Sequence, residues 1–325
     1  MSCHRVRALF AASLTALCAP EAATAQASAS AQTTDSLGCL VGAGSATPVD
    51  LGNGGVTADI GSAGVGCTAI AGGYSYAGVM GAFAESSVAF DNGSSGGLGG
   101  GSDASWTDSL HVVWPSGVEV AGVSTLRIGF DVDAHGGVAA TRSDAEGFNL
   151  AMGSAGIDYS FSFAGSVFSG SQSMAAGEVQ VVNGSFGSLS GFVDLTPTGL
   201  VDGAYTFSDI ALSMTGHAHA LVQNKFIGLG LHTASALGDF GSTLQWQGIS
   251  GVQAFDSEGA EVALPLDFQL GLIGGQNGFD YWSAAPITVP EPSPWMSMLC
   301  SLGVLVGAGW RHARASRNLV RQTPC

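Results

Sequence analysis

Two short runs in this chain carry the residue types that hold cations. Asp131-Val132-Asp133-Ala134-His135-Gly136 sets two carboxylates two residues apart, ahead of a glycine. Calcium loops use such spacing because a bent backbone turns alternate oxygens toward one hard ion. Asp131 and Asp133 are therefore the expected ligands of a calcium site, with Asp144 and Glu146 as further oxygen donors. The twelfth position counted from Asp131 is Arg142, so the EF-hand pattern is absent. His217-x-His219 is the second run. In a strand both imidazoles project from one side. They supply two ligands of a zinc site, which needs a third and an open position to be catalytic. His111, His135 and His232 are the available thirds. The competing reading of each run is a polar turn and a pair of surface histidines.

Other chemistry finds less support. Serines are abundant, but no Gly-x-Ser-x-Gly run sits in a strand–turn–helix context, and Gly165-Ser166-Val167-Phe168-Ser169-Gly170 reads as turn sequence. The glycine-rich stretches lack the lysine of a phosphate-binding loop. Trp114, followed by Pro115 in an expected loop, and Trp282, after Tyr281, are the aromatics best placed to stack on sugar rings. Trp106 and Trp246 alternate with polar residues and read as core.

The elements that would position these groups are strands. Leu126, Ile128, Phe130 and Val132 alternate with polar or small residues across 124–132. Gly156–Phe163 repeats the pattern, and Ile210–Val222 places Leu212, Met214, Gly216, Ala218 and Ala220 on one face. Further strands are expected at 106–112, 178–182, 205–207, 244–249 and 251–255. Period-two runs bounded by Gly, Asn, Asp and Ser signal antiparallel sheets with one buried face. Asp91-Asn92-Gly93, Asn183-Gly184, Asp202-Gly203 and Asp256–Gly259 read as turns. Residues 92–103, nearly all Gly and Ser, are expected to form a flexible loop, and 26–66 is too weakly patterned to assign.

The two ends differ from this body. Arg5 and Arg7 precede an apolar run over 8–19 and a small-x-small site at Ala23-Thr24-Ala25, so residues 1–25 read as a secretory signal cut by signal peptidase. At the other end, Val289-Pro290-Glu291-Pro292-Ser293 precedes an uncharged apolar run from Trp295 to Trp310, then Arg311, Arg314, Arg317 and Arg321. The run reads as a single transmembrane helix, short for a permanent anchor, with its basic end in the cytoplasm. Between these ends lie three cations, Arg127, Arg142 and Lys225, against twenty-three acids, a net charge of −20. Such a surface repels nucleic acid and anionic headgroups. Cys39 and Cys67 are the two cysteines of this middle region, and in an oxidising compartment they are expected to pair.

The order of Pro290-Glu291-Pro292, apolar helix and arginine cluster resembles the PEP-CTERM sorting signal of Gram-negative bacteria. The resemblance covers about a tenth of the chain. It implies recognition and cleavage by an exosortase, a membrane protease, and export alongside exopolysaccharide. The long stretch after Arg314, ending in Cys325, departs from the pattern. Several body segments also resemble jelly-roll sandwiches seen in proteins with that tail: 104–110 as an early strand, 130–136 as a strand-end turn, and 239–244 with 255–259 as a last hairpin. The region before the motif, Gly278-Phe279-Asp280-Tyr281 and Ser283, fits the same comparison.

The sequence thus leads to three parts: a signal peptide at 1–25, a jelly-roll-like antiparallel β-sandwich at 26–285, and a sorting tail at 286–325. The tail holds the motif at 289–293, the helix at 295–310 and the basic end at 311–325. The expected role is structural or interactive in the extracellular matrix, without catalysis. The chain would be anchored briefly in the inner membrane and then placed at or beyond the cell surface. The alternatives are a carbohydrate-binding module for matrix polysaccharide, and a metal-dependent enzyme centred on His217 and His219.

Overall fold

A computed structural model describes residues 25–52, 55–64, 66–92, 96–144, 151–175, 180–224, 229–275 and 279–285. The expected signal peptide up to residue 24, and the whole tail with Val289–Ser293, Trp295, Trp310, Arg311, Arg314 and Arg317, lie outside the described residues. Among those described there are strands and turns but no helix. No helix there is long and apolar enough to cross a membrane.

The strands form two antiparallel sheets. The front sheet is built on β6 (Gly96–Val113), β13 (Ile210–Asn224), β8 (Ala151–Phe163) and β9 (Ser166–Ala175), side by side in that order. β1 (Gln26–Asp35) pairs along the other side of β6. Three short strands, β11 (Gly199–Val201), β12 (Ala204–Thr206) and β16 (Gly271–Ile273), extend the sheet near Val113. The back sheet runs β10 (Gln180–Leu195), β7 (Thr125–Asp144), β14 (Leu229–Phe255), β5 (Val79–Asn92), β4 (Cys67–Tyr76), β3 (Gly55–Gly64) and β2 (Val49–Gly52). β15 (Glu261–Val262) folds back on β14. From β5 onward, apart from the β8–β9 hairpin, each long strand crosses to the opposite sheet. The sheets stack with β1 over β3 and β4, β6 over β4 and β5, β13 over β5 and β14, and β8 over β14 and β7.

The alternating pattern has the expected cause. Along β7, Leu126, Ile128, Phe130, Val132 and Ala134 are buried while the residues between them are partly exposed. Every second residue of a strand faces the facing sheet, so a one-residue slip would turn the whole apolar set to water. The core has two unlike halves. At one end Phe130, Phe161, Phe163 and Trp246 interlock, with Phe130 and Trp246 stacked at 6.1 Å and Phe130 edge-on to Phe163 at 5.2 Å, while buried Trp106 meets Phe279 edge-on at 5.8 Å. At the other end the inward residues are small: Ala69, Ala71, Ala82, Ala84, Ala155, Ala218, Ala220, Ala234 and Ala236.

The small-residue end explains the glycine run that reads as a loop in the sequence. Residues 96–103 belong to β6, paired with β13 throughout and with β1 from Leu98 onward. A Cβ on inward-facing Gly100 would lie 2.5 Å from the carbonyl oxygen of Ile70 in the facing sheet. Gly73 and Gly153 approach facing backbone in the same way, within 2.7 Å. The sheets are so close here that side chains bond across the gap: Ser102 Oγ donates to Phe83 O at 2.8 Å and Ser75 Oγ to Ser105 O at 2.6 Å. Glycine serves here as the residue that lets two backbones meet.

Other expectations need correction. Asn183-Gly184 is no turn; both residues lie within β10. The turn expected at 130–136 is the middle of β7. The segments expected at 244–249 and 251–255 form one strand with register shifts, β14, which also takes in 239–244. The weakly patterned stretch 26–66 contributes β1, β2 and β3. Asp202-Gly203 does turn the chain, with φ of 50° and 82° between β11 and β12. Cys39 and Cys67 are joined by a disulfide closing a separation of 28 residues.

The end of the described chain is stitched into the aromatic half. Tyr281, buried, donates its hydroxyl to the buried carboxylate of Asp108, which also accepts Ser109 N at 2.7 Å and Gly275 N at 2.9 Å. Trp246 Nε1 donates to Tyr281 O at 2.9 Å, and Ala285 N to Trp246 O at 2.8 Å.

Candidate functional site

The outer face of the front sheet collects the polar groups with the most chemical capacity. Strand register sets them in rows. One row runs Ser28, Ser105, Thr215, Ser160, Ser169 across β1, β6, β13, β8 and β9. The next runs Ser30, Asp103, His217, Asp158, Ser171, and the third Gln32, Gly101, His219, Gly156, Ser173. Neighbours within a row are a strand spacing apart, about 4.8 Å, and rows are separated by two residues, about 6.8 Å. The result is a broad surface of short hydroxyls with two imidazoles and two carboxylates at its centre.

Hydrogen bonds fix that centre. His217 Nδ1 donates to Asp103 Oδ1 at 2.7 Å, and Ser30 Oγ donates to Asp103 Oδ2 at 2.9 Å. Ser28 and Ser105 share a hydroxyl bond at 2.7 Å. The His219 ring lies over Gly156, where a Cβ would come within 2.3 Å of it. Burial there pushes the His219 pKa down; His217 pushes the same way and Asp158 opposes. His219 is thus held toward its neutral form beside a partner engaged with a carboxylate.

Several residues singled out in the sequence fare differently. His217 and His219 do share a face, with ring centres 5.7 Å apart. Two of the considered third ligands are engaged elsewhere: His111 Nδ1 donates to Asp209 at 2.8 Å, and His135 Nε2 to Asp133 at 2.7 Å. The His232 side chain lies outside the described residues. Asp131 and Asp133 stand on the outer face of the back sheet in an extended strand, where side chains project in parallel and do not converge on an ion. Asp131 accepts a hydrogen bond from Ser190 at 2.6 Å. Among the described residues no group of three or more His, Cys, Asp or Glu is arranged to hold a metal ion. On the same face Arg127 pairs with Asp194 at 2.7 and 2.8 Å and lies over Phe192 and Phe255. The guanidinium holds the Asp194 carboxyl below its ordinary range.

Trp114 is corrected from a sugar-stacking residue to a core residue. Its ring is 4% exposed, wedged among Tyr205, Phe207 and Phe268, with Nε1 donating to Val118 O. Trp282 is half-buried and lines an open groove of about 610 Å³ with Val252, Glu261, Leu264, Pro265 and Phe268. Its Nε1 donates to Leu270 O, which fixes the ring. Asp103 and Asp158 escape sequence reading altogether. They lie 114 and 59 positions from His217 and meet it only through strand register. The alternation of small polar residues in each strand was the available signal, but it marks a wet face without saying which faces adjoin.

No known family model matches the chain, and no curated protein shows significant similarity to it.

Proposed function

We propose that this chain is an exported matrix protein, cut at both ends and acting through its polar front face on hydroxyl-rich polysaccharide. The interactive half of this reading is carried by one observation: rows of Ser, Thr, Asp and His side chains spanning five strands. Hydroxyls donate and accept alike, and carboxylates accept strongly. A surface of this kind exchanges its water for the hydroxyls of extended glycan chains at many weak contacts. The body is read as a jelly roll because the orders β5–β14–β7–β10 and β6–β13–β8–β9 are those of two interlocked Greek keys. The sorting half rests on Val289–Ser293, the Trp295–Trp310 run and the arginines after it. Signal peptidase and an exosortase-type protease are the processing partners, the inner membrane a transient station, and the cell surface or matrix the destination. No catalytic role is assigned.

The test has two arms. Intact mass of the protein recovered from culture medium is expected to lack both ends. Binding to the producing cell's own exopolysaccharide is expected to weaken several-fold in Asp103→Ala/His217→Ala. Retention of both ends, or unchanged binding, would remove the corresponding half. Trp282 and its groove favour a second reading, a carbohydrate site based on ring stacking; loss of binding in Trp282→Ala alone would select it.

A further inference from the structure

A sheet edge is a row of unpaired amide and carbonyl groups, and folded proteins generally blunt it with charge, proline, bulges, short strands or a covering segment. Three of the four main edges of this sandwich are blunted. The free side of β1 is covered over Ala31–Thr33 by the 44–46 segment, where Thr33 N donates to Gly44 O at 2.7 Å and Ala46 N to Ala31 O at 2.8 Å, and the strand ends on the charge of Asp35. β2 is four residues long and carries Asp50. β10 is bulged between Ser185 and Gly187 and carries Asp194.

Among the described residues β9 has none of these devices. It pairs with β8 in unbroken register from Phe163 opposite Ser166 to Ser154 opposite Ala175. Its ten residues include no charge and no proline. Val167 on its outer face is 66% exposed. Gln172 on the other face has its Oε1 buried with no hydrogen-bond partner among the described residues.

The chemistry of β9 also says what would complete it. Paired strands in this molecule set hydroxyl against hydroxyl: Ser28 with Ser105 at 2.7 Å, Thr68 with Ser87 at 2.6 Å, Thr141 with Ser235 at 2.6 Å. Ser169, Ser171 and Ser173 present the same ladder, with no strand beyond them among the described residues. The fitting partner is a neutral, serine-bearing strand. β9 itself meets that description, and an identical strand run antiparallel gives a closed two-fold pair. Two copies of so acidic a chain repel each other over most of their surface, which leaves an uncharged strip as the place where they can meet.

We propose that β9 pairs antiparallel with β9 of a second copy, joining two front sheets into one. The polar rows then run across the seam. The seam is small, so the dimer is concentration-dependent and not permanent. This goes beyond the matrix reading and does not depend on where the tail sends the chain.

Sedimentation equilibrium of the purified full chain in density-matched detergent, from about 1 to about 200 µM, tests it. The chain is expected to shift from monomer to dimer across that range. Ser169→Lys/Ser171→Lys places like charges opposite each other at the seam and is expected to raise the dissociation constant at least about tenfold, with the melting temperature little changed. Gln32→Lys/Thr34→Lys, the same charge change where the 44–46 segment covers β1, is expected to leave it unaltered. Should the double variant lose its fold, Ser171→Lys alone is read in its place. A chain monomeric throughout, a dimer indifferent to the β9 lysines, equal weakening by the β1 lysines, or assemblies larger than two would each overturn the pairing.

Discussion

His219 shows how a single side chain is set by its surroundings. Its ring covers Gly156, and burial is the larger cause of its lowered pKa, with His217 second. The unfolded chain accepts a proton here at about pH 6.5, whereas the folded one resists it. His219 therefore detracts nothing from stability above that pH, and stability falls as the pH drops below it. His217→Gln removes the neighbouring charge and is expected to raise the pH at which His219 titrates, followed by NMR of the ring nitrogens. No upward movement would mean that burial alone sets it. The two-histidine geometry was legible in the sequence, because alternation places i and i+2 together. Asp103 and Asp158 were not, because nothing local states which strands flank β13.

At the scale of the strand, glycine decides how near the two sheets lie. Gly100 faces inward, and a methyl group there would meet the Ile70 carbonyl at 2.5 Å. Gly101 faces outward, and its nearest neighbour is the Gln32 side chain at 3.7 Å. Gly100→Ala is therefore expected to destabilise the fold by about 1–3 kcal/mol through overpacking. Gly101→Ala should be close to neutral in the same urea titration. Equal effects would deny the close approach of β6 to β4. The sequence misleads at this element for a physical reason. A Gly/Ser run lacks the bulky residues that signal a strand, yet small size is what a strand needs where facing backbones touch.

Over the whole molecule, the aromatic half is closed by the last described residues. The Tyr281 phenol is raised well above its ordinary pKa by burial and by the Asp108 carboxylate, so it stays a donor to that carboxylate at any ordinary pH. Tyr281→Phe strands a buried carboxylate oxygen and is expected to cost about 1–3 kcal/mol, read as a fall in melting temperature. An unchanged melting temperature would show that the segment 279–285 contributes little to closure. By itself the sequence determined an all-β body with one wet and one dry side to its clearly alternating strands, such as 124–132 and 156–163, because period-two alternation is written in neighbouring residues. It also supplied the acidic balance and the Cys39–Cys67 pair. Only the tertiary structure decided that Trp114 is core, that residues 96–103 form a strand, and that Ser28, Ser105, Thr215, Ser160 and Ser169 share a row. Those facts depend on register between strands up to about a hundred residues apart, and register is fixed by pairing and sheet stacking across the fold.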